Sequence, residues 1–296
     1  GKTELDTFHV LPAERKQLFW LLARMSLTET QAYYAFYPEA RKKIGFLCSD
    51  AEIIQNPYIL YEKTRRASFE AVIPVKKIDM AVYPPEEIRI SNPLKSPSAL
   101  DSRNDKRRVR AYSISVLEHF ALNGHTVYPV EKLIEDINAL PIDPSCQVTS
   151  DIINGFAPFL EEELKPIACT NGEKAYQLIR LFEIDEVIRS SISKRLKGAR
   201  HEINENWREI IDNAFKGQPK SEFEERARTE KAAILKELAE SRLSVLIGGA
   251  GTGKTTLLAL LCKSEQIRNG GVLLLAPTGK ARVRMSQAMR MQGVDS

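Results

Sequence analysis

Apolar positions recur every three or four residues over most of the first 240 residues, which predicts a mainly helical N-terminal region. Residues 10–25 are one such stretch, with Leu18, Leu21 and Leu22 on one side. Capping-box patterns at residues 28–31 and 221–224 predict where two further helices begin. The first cap opens an aromatic-rich helix. We assign its rings to the core rather than to base stacking, the alternative that such rings allow.

The pattern changes in the middle of the chain, where two short alternating segments follow three predicted helices. Residues 166–170 and 173–178 predict strands, and Asn171-Gly172 between them is a preferred two-residue hairpin turn. Three helices followed by a hairpin predict a winged-helix-like module. Such modules bind duplex DNA through a helix and a wing, or they pack against protein, and the sequence leaves both roles open.

A third pattern begins near residue 243. Residues 243–247 and 272–275 are short apolar runs that predict buried strands, each followed by a turn and a helical segment. Alternating strands and helices are typical of a parallel α/β sheet. The last part of the chain is therefore expected to begin an α/β domain.

Residues 248–256 read Gly-Gly-Ala-Gly-Thr-Gly-Lys-Thr-Thr and match the phosphate-loop pattern G-x-x-x-x-G-K-[ST]. Glycines let the backbone wrap around phosphate oxygens, and backbone N–H groups with a following helix N-terminus attract their negative charge. Lys254 is expected to reach the β- and γ-phosphates of ATP, and Thr255 to ligate Mg²⁺. The predicted nucleotide-binding residues are Gly248, Gly249, Ala250, Gly251, Thr252, Gly253, Lys254, Thr255 and Thr256.

Residues 276–281, which follow the second apolar run, read Ala-Pro-Thr-Gly-Lys-Ala. Together with residues 248–256 they resemble motifs I and Ia of superfamily-one DNA helicases, and most closely the RecD-like branch. The resemblance implies a RecA-like motor that couples ATP hydrolysis to 5′-to-3′ movement on single-stranded or partly duplex DNA, in DNA repair or recombination. It also implies that Thr278, Lys280 and Arg282 contact the single-stranded DNA backbone.

Two stretches depart from that family pattern. Lys231 stands where these helicases carry a glutamine that pairs with adenine, and a lysine side chain has no acceptor for such a contact. Residues 63–78 follow an Asn-Pro-Tyr stretch resembling the family's N-terminal region, but they lack its Gly-x-Gly turn. Adenine selectivity and DNA binding at these two places are therefore open.

Residues 103–110 are the most basic segment of the chain, with five Lys or Arg residues in eight. Phosphate-tracking surfaces are built from such clusters. We therefore predict that Arg107, Arg108 and Arg110 contact DNA.

Bulk composition adds few constraints. Lys and Arg outnumber Asp and Glu by 43 to 39, too small an excess to indicate nucleic-acid binding by itself. The four cysteines form neither a zinc spacing nor a disulfide framework. No apolar run approaches the roughly 18 residues of a membrane span. A cytoplasmic protein without membrane contact is expected.

Both ends look cut, because residue 1 is Gly and no apolar strand ending in Asp-Glu follows the phosphate loop. Such an acidic residue holds Mg²⁺ and orients water, so this chain alone is expected to hydrolyse ATP poorly.

The expected fold is a mainly α N-terminal region with a winged-helix-like module, followed by a truncated α/β phosphate-loop (RecA-like) domain. The expected ranges are 1–98 for the helical region, 99–198 for the winged-helix-like module, 199–220 for a helical linker and 221–296 for the motor. Alternative functions are a phosphate-loop ATPase that remodels protein partners and a DNA-binding module with a vestigial nucleotide site.

Overall fold

The computed structural model describes residues 8–215, 219–249, 251–291 and 293. The chain divides into two units, Gly1–Ile184 and Asp185–Ser296. Each unit has apolar cores of its own. The four ranges expected from the sequence remain predictions.

The first unit is largely helical with one small sheet. Its helices are α1 (Ala13–Ala23), α2 (Glu29–Phe36), α3 (Pro38–Lys43), α4 (Asp50–Gln55), α5 (Ile59–Thr64), α6 (Val75–Val82), α7 (Glu86–Ser91), α8 (Lys106–Leu122), α9 (Val130–Asn138), α10 (Ser150–Gly155) and α11 (Ala157–Leu160). Its strands are β1 (Tyr128–Pro129), β2 (Leu164–Ala168) and β3 (Lys174–Leu178).

Several of these helices begin where side chains can satisfy free backbone N–H groups. The capping box predicted at residues 28–31 is confirmed, since the Thr28 hydroxyl accepts from the Gln31 N–H and the Gln31 amide accepts from the Thr28 N–H. The Thr149 hydroxyl caps α10 by accepting from the Ile152 N–H. These starts depend only on neighbouring residues.

The predicted hairpin is confirmed, but its turn differs. β2 and β3 pair antiparallel, and β3 also pairs with β1, giving the order β1-β3-β2. The Gly172 N–H donates to the Cys169 carbonyl, and the Cys169 N–H donates to the Glu173 carbonyl. Gly172, with φ of +85°, is thus the third residue of a three-residue loop rather than half of a two-residue turn.

The long helix α8 lies at the centre of the first unit. Its buried face joins a single apolar core that extends from Leu18 in α1 to Leu178 in β3. The expected boundary between residues 98 and 99 falls inside this shared core. Among the described residues, no helix has the length and apolarity needed to cross a bilayer.

The aromatic rings of α2 correct one prediction. Tyr33 and Tyr37 are about half exposed rather than buried in the core. They line an open groove of about 880 Å³ together with Phe19 and Phe36. The buried residues of α2 are Gln31 and Ala35, and Phe36 is partly buried against the core.

The second unit is helical in its described residues. Its helices are the greater part of α12 (Ile179–Lys197), α13 (Trp207–Ala214), α14 (Glu222–Glu240), α15 (Lys254–Leu261), α16 (Glu265–Asn269) and α17 (Gly279–Met291). α15 lies between two small cores. Leu257 and Leu260 pack with residues of α13 and α14, whereas Ala259 and Cys262 pack with Met289 of α17.

The prediction of buried strands at residues 243–247 and 272–275 is wrong for this structure. Neither segment is a strand, and Ile247 and Leu273 are 86% and 82% exposed. A parallel strand obtains both its hydrogen bonds and its burial from neighbouring strands. No described residue supplies such a neighbour here. Most of the apolar side chains of the two runs remain exposed, whereas Leu246 and Leu274 are half-buried against the small cores.

Candidate nucleotide site

The segment before α15 forms a glycine-rich loop. Gly251 and Gly253 have φ of +80° and +86°, a conformation that side chains with a Cβ rarely adopt. Gly253 is the residue immediately before the helix. The N–H groups of the helix's first turn have no helical carbonyl ahead of them, so they are left for another acceptor. Ala250, also predicted to bind nucleotide, lies outside the described residues.

Lys254 closes this loop. Its Nζ donates to the carbonyl oxygens of Gly248 and Gly249, both at 2.7 Å. The Thr252 hydroxyl donates to the Gly249 oxygen at 3.0 Å. The lysine amine therefore lies over the loop that the sequence predicts to cradle phosphates, and no carboxylate among the described residues binds it there.

Gly248 lies close to the Thr252 side chain. A Cβ at this position would lie 2.8 Å from the Thr252 hydroxyl oxygen and 3.8 Å from Lys254 Cδ. A larger residue here would therefore require the Thr252 side chain to move. A backbone cradle of this kind suits a phosphate, because the ligand can approach main-chain N–H groups without a side chain between.

The hydroxyl predicted to hold Mg²⁺ belongs to Thr255, which lies exposed in the first turn of α15, and Thr256 beside it is half-buried. Within the described residues, no cluster of three or more His, Cys, Asp or Glu could hold a metal ion. A divalent ion at this place would therefore depend on Thr255 and on the oxygens of a bound triphosphate, which fits how phosphate loops hold Mg²⁺.

The second predicted motif opens α17. The Thr278 hydroxyl accepts from the Ala281 N–H at 3.2 Å and so caps the helix. Lys280 and Arg282 lie exposed at the same end. The first turn of α17 contains no acidic residue. These cations therefore sit at the positive end of the helix dipole, which disfavours them unless an anion is present.

Lys231, at the position where related helicases carry glutamine, has a different contact here. Its Nζ lies 4.6 Å from the centre of the Phe215 ring, a cation–π geometry. Residues 216–218, which follow this ring, lie outside the described residues.

Arg107, Arg108 and Arg110 are bound by groups of the first unit itself, which corrects the prediction that they contact DNA. Arg108 is fully buried, and its guanidinium donates to both carboxylate oxygens of Asp79 at 2.7 Å. Arg110 is nearly as buried and donates to both oxygens of Glu62, at 2.9 and 2.8 Å.

Arg107 is likewise occupied. It pairs with Asp105 and donates to the carbonyl oxygens of Gln55, Pro97 and Ala99. Arg107, Arg108 and Arg110 therefore connect α8 to other segments of the first unit. The sequence does not predict these ion pairs, because Asp79 lies 29 residues from Arg108 and Glu62 lies 48 residues from Arg110.

Comparisons with known proteins bear mainly on the second unit. Residues 230–295, which include the loop and the start of α17, match a family model described as an AAA domain. The chain is 43% identical over 72 residues to the RecBCD enzyme subunit RecD of Mycolicibacterium smegmatis, a match covering 21% of this chain and 13% of that protein. The two matches support a helicase-like phosphate-loop protein.

A longer similarity extends into the first unit. The chain is 26% identical over 258 residues to the uncharacterized protein MJ1519 of Methanocaldococcus jannaschii. That match covers 80% of this chain and 21% of the relative. The chain therefore spans about a fifth or less of the length of the curated relatives that it matches.

Proposed function

We propose that this chain is part of an ATP-dependent DNA helicase or translocase of the RecD-like superfamily-one kind. The observation that carries the proposal is the closed loop in which Lys254 caps the Gly248 and Gly249 carbonyls directly ahead of α15. The loop, a helix N-terminus and a lysine that no described carboxylate binds together make a site for a polyphosphate. The AAA and RecD matches support the same assignment.

In this proposal each loop residue has a separate task. When nucleotide binds, the Lys254 amine leaves the Gly248 and Gly249 carbonyls and binds the β- and γ-phosphates. There it offsets the negative charge of the phosphates during phosphoryl transfer. The backbone N–H groups of residues 249–256 bind the remaining phosphate oxygens. Thr255 holds Mg²⁺, which when bound neutralises charge on the phosphate oxygens.

The DNA part of the proposal rests on α17. Lys280 and Arg282 are exposed at a helix end that repels cations, so a phosphate backbone would relieve an unfavourable arrangement. Thr278 accepts one hydrogen bond as a cap, and its hydroxyl proton remains available to donate to a phosphate oxygen. We assign single-stranded DNA contact to these three residues.

The first unit supports a winged-helix-like module but not a duplex-binding one. The order α8, β1, α9, α10, β2, β3 resembles that of a winged helix, with the short helix α11 added between α10 and β2. The groove between α9, α10 and the hairpin tip is lined by Glu131, Glu135 and Glu173 against two lysines. Since this surface is more acidic than basic, we assign the module to protein packing.

Nucleotide titration tests the first half of the proposal. ATP with Mg²⁺ is expected to bind the chain, and Lys254→Ala to weaken binding at least about tenfold, equivalent to about 1.4 kcal/mol. Lys263→Ala, an exposed lysine just after α15, serves as the matched control and should bind normally. Absence of ATP binding by the unaltered chain would mean that the nucleotide site is vestigial.

Salt-dependent binding of a single-stranded oligonucleotide tests the second half. Lys280→Ala and Arg282→Ala are each expected to weaken binding and to reduce the log–log salt slope by about one. Arg290→Ala, near the other end of the same helix, is the control. If ATP binds while both variants bind DNA like the unaltered chain, a phosphate-loop ATPase acting on proteins becomes the better assignment.

A further inference from the structure

The groove between α1 and α2 of the first unit has a continuous aromatic surface. We call it the aromatic groove, and its rings are Phe19 of α1, Tyr33, Tyr34 and Phe36 of α2, and Tyr37 directly after α2. Neighbouring ring centres lie 6.3 Å apart for Phe19 and Phe36, 5.3 Å for Phe36 and Tyr37, and 5.4 Å for Tyr33 and Tyr37. A contiguous apolar surface that remains open to solvent marks an interaction site.

The composition of this surface is that of a binding site. Tyr37 is 52% exposed, and Trp20, whose ring centre lies 5.7 Å from that of Phe19 at the edge of the groove, is 60% exposed. Tyrosine and tryptophan are the residues that most often dominate the binding energy of an interface. They combine a large apolar ring with a polar atom at its edge.

The polar atoms of these rings are hydrogen-bond donors without acceptors. The hydroxyls of Tyr33, Tyr34 and Tyr37 and the indole N–H of Trp20 have no hydrogen-bond partner among the described residues. A tyrosine hydroxyl can donate one hydrogen bond, and an indole N–H can only donate. The groove therefore suits an occupant that presents acceptors beside an apolar surface.

The charge of the groove argues against nucleic acid. Of the described residues that line it, Glu29 is charged and none is a lysine or an arginine. Single-strand binding surfaces combine aromatic rings with cations that bind the phosphates. A nucleic acid here would instead meet a carboxylate, whereas Glu29 suits an occupant that carries a cation.

Among peptide conformations, polyproline II presents the acceptors that the groove requires. An α-helix uses its backbone carbonyls within itself, and an added β-strand needs a sheet edge. The described residues of the groove belong to two helices and the turn between them, which supply no such edge. In polyproline II the carbonyls have no internal partner, and proline rings pack in aromatic-lined grooves.

We propose that the aromatic groove binds a proline-rich segment of a protein partner in the polyproline II conformation, with a lysine or arginine of that segment beside Glu29. The inference is independent of the nucleotide site. Helix α2 has eight residues and is about 12 Å long. At about 3.1 Å per residue, about four residues of the segment lie along it. Such a contact is smaller than a standard interface, so we expect a dissociation constant on the order of 100 µM.

Calorimetric titration of the whole chain tests the proposal. The probe is a peptide of eight prolines with one arginine at each end and both termini capped, and it is expected to bind. A peptide in which alternating glycine and serine replace the prolines should bind at least about tenfold more weakly, because it must lose more conformational entropy. Absence of binding by the proline peptide up to about 1 mM, or equal binding of the two peptides, overturns the proposal.

Substitutions locate the binding surface. Tyr37→Ala is expected to weaken binding of the proline peptide more than about tenfold. Phe69→Ala, which removes a 95% exposed ring between α5 and α6, is the matched control and should bind normally. Circular dichroism confirms that each variant is folded. Equal affinity of Tyr37→Ala and the unaltered chain would mean that the peptide binds elsewhere and would refute the proposal.

Two conservative variants test the assigned contacts. Tyr33→Phe/Tyr37→Phe keeps both rings but removes two donors, and it should weaken binding about two- to tenfold. Glu29→Gln should weaken binding of the arginine-flanked peptide about two- to fivefold and leave an all-proline peptide of the same length unaffected. Wild-type affinity in both variants contradicts these contacts. A ten-nucleotide thymidine strand that displaces the peptide would identify the groove as a nucleic-acid site instead.

Discussion

At the scale of single residues, Arg108 shows how a basic segment can serve the core. Its guanidinium binds both oxygens of Asp79, which also accepts from the Tyr58 hydroxyl at 2.5 Å. Burial lowers the pKa of Arg108, but Asp79 raises it further, so the net shift is upward. Burial and the same carboxylate raise the pKa of Tyr58. Arg108 and Tyr58 therefore keep their ordinary protonation states within this buried network.

Removing one member of this network should be costly. Arg108→Ala leaves the buried Asp79 carboxylate without its main partner, and we expect the free energy of unfolding to fall by about 3–5 kcal/mol. Urea denaturation followed by circular dichroism measures the change. Arg103→Ala, an exposed arginine of the same segment, should change it by less than about 0.5 kcal/mol. A loss below about 1 kcal/mol for Arg108→Ala would show that the pair contributes little.

Gly253 is needed for its backbone conformation, because its φ of +86° lies in the left-handed region. An alanine there costs about 1–2 kcal/mol in this conformation. Gly253→Ala should therefore weaken ATP binding about tenfold while the helices remain intact, as titration and circular dichroism would measure. Gly155→Ala, where a Cβ meets nothing within 4 Å and φ is not positive, is the control. Unchanged affinity in Gly253→Ala would indicate that nucleotide binds another loop conformation.

At the scale of elements, what the sequence predicts well is what neighbouring residues decide. The caps at Thr28 and Ser221 are confirmed, because each bond joins a side-chain oxygen to the N–H three residues along the chain, although Glu224 accepts from the Lys220 N–H rather than from that of Ser221. The hairpin is confirmed for the same reason. The phosphate loop also forms locally, through contacts that span at most six residues.

Elements that depend on distant residues were predicted less well. The strands expected at 243–247 and 272–275 need neighbouring strands before their apolar side chains are buried. The sequence predicts that the arginines of α8 contact DNA, because charge patterning identifies a basic segment but not the carboxylates that bind it. Hydrophobic periodicity likewise could not show that α2 turns Gln31 inward, where it donates to the Val72 carbonyl.

Contacts between elements also give the first unit an acid sensitivity. Burial raises the pKa of Glu163, but the hydrogen bonds and charges of Lys63 and Arg65 lower it more, so it lies below its usual range. These residues connect α5 and the chain after it to the residue before β2. A carboxylate whose pKa is depressed by folding stabilises the folded state above its unfolded pKa, and this stabilisation is lost as pH falls through the folded pKa.

We therefore expect the melting temperature of the first unit to fall as pH drops below about 4.3, the ordinary glutamate pKa. Glu163→Gln should lower the melting temperature at neutral pH and make the acid dependence shallower, because one fewer proton is taken up on unfolding. Melting curves across pH measure both effects. Glu131→Gln, on the groove beside the hairpin tip, provides the comparison. An identical acid profile for Glu163→Gln would exclude this carboxylate as a source of acid sensitivity.

At the scale of the whole molecule, two units with separate cores share one chain. The AAA match lies in the second unit, whereas the similarity to the uncharacterized protein MJ1519 covers 80% of the chain. The first unit combines one continuous apolar core with buried ion pairs on α8. Arg107, Arg108 and Arg110 of the first unit are paired with its own carboxylates, so the proposed DNA contact is assigned to the exposed cations of α17.

Separate cores predict separate unfolding transitions, since cooperativity arises from shared packing. The two tryptophans report on different units: Trp20 lies in the first, and Trp207 is buried in the core beside α15. In the Trp20→Phe variant, Trp207 is the remaining tryptophan and reports on the second unit. In the Trp207→Phe variant, Trp20 remains and reports on the first unit.

Nucleotide should stabilise only one of these units. Mg²⁺-ATP at a hundredfold its dissociation constant should add about 2.7 kcal/mol to the free energy of unfolding of the unit that binds it. In urea titrations we expect nucleotide to move the Trp207 transition to higher urea and to leave the Trp20 transition in place. Coincident transitions that shift together would mean that the two units unfold as one and that nucleotide binding stabilises the entire chain.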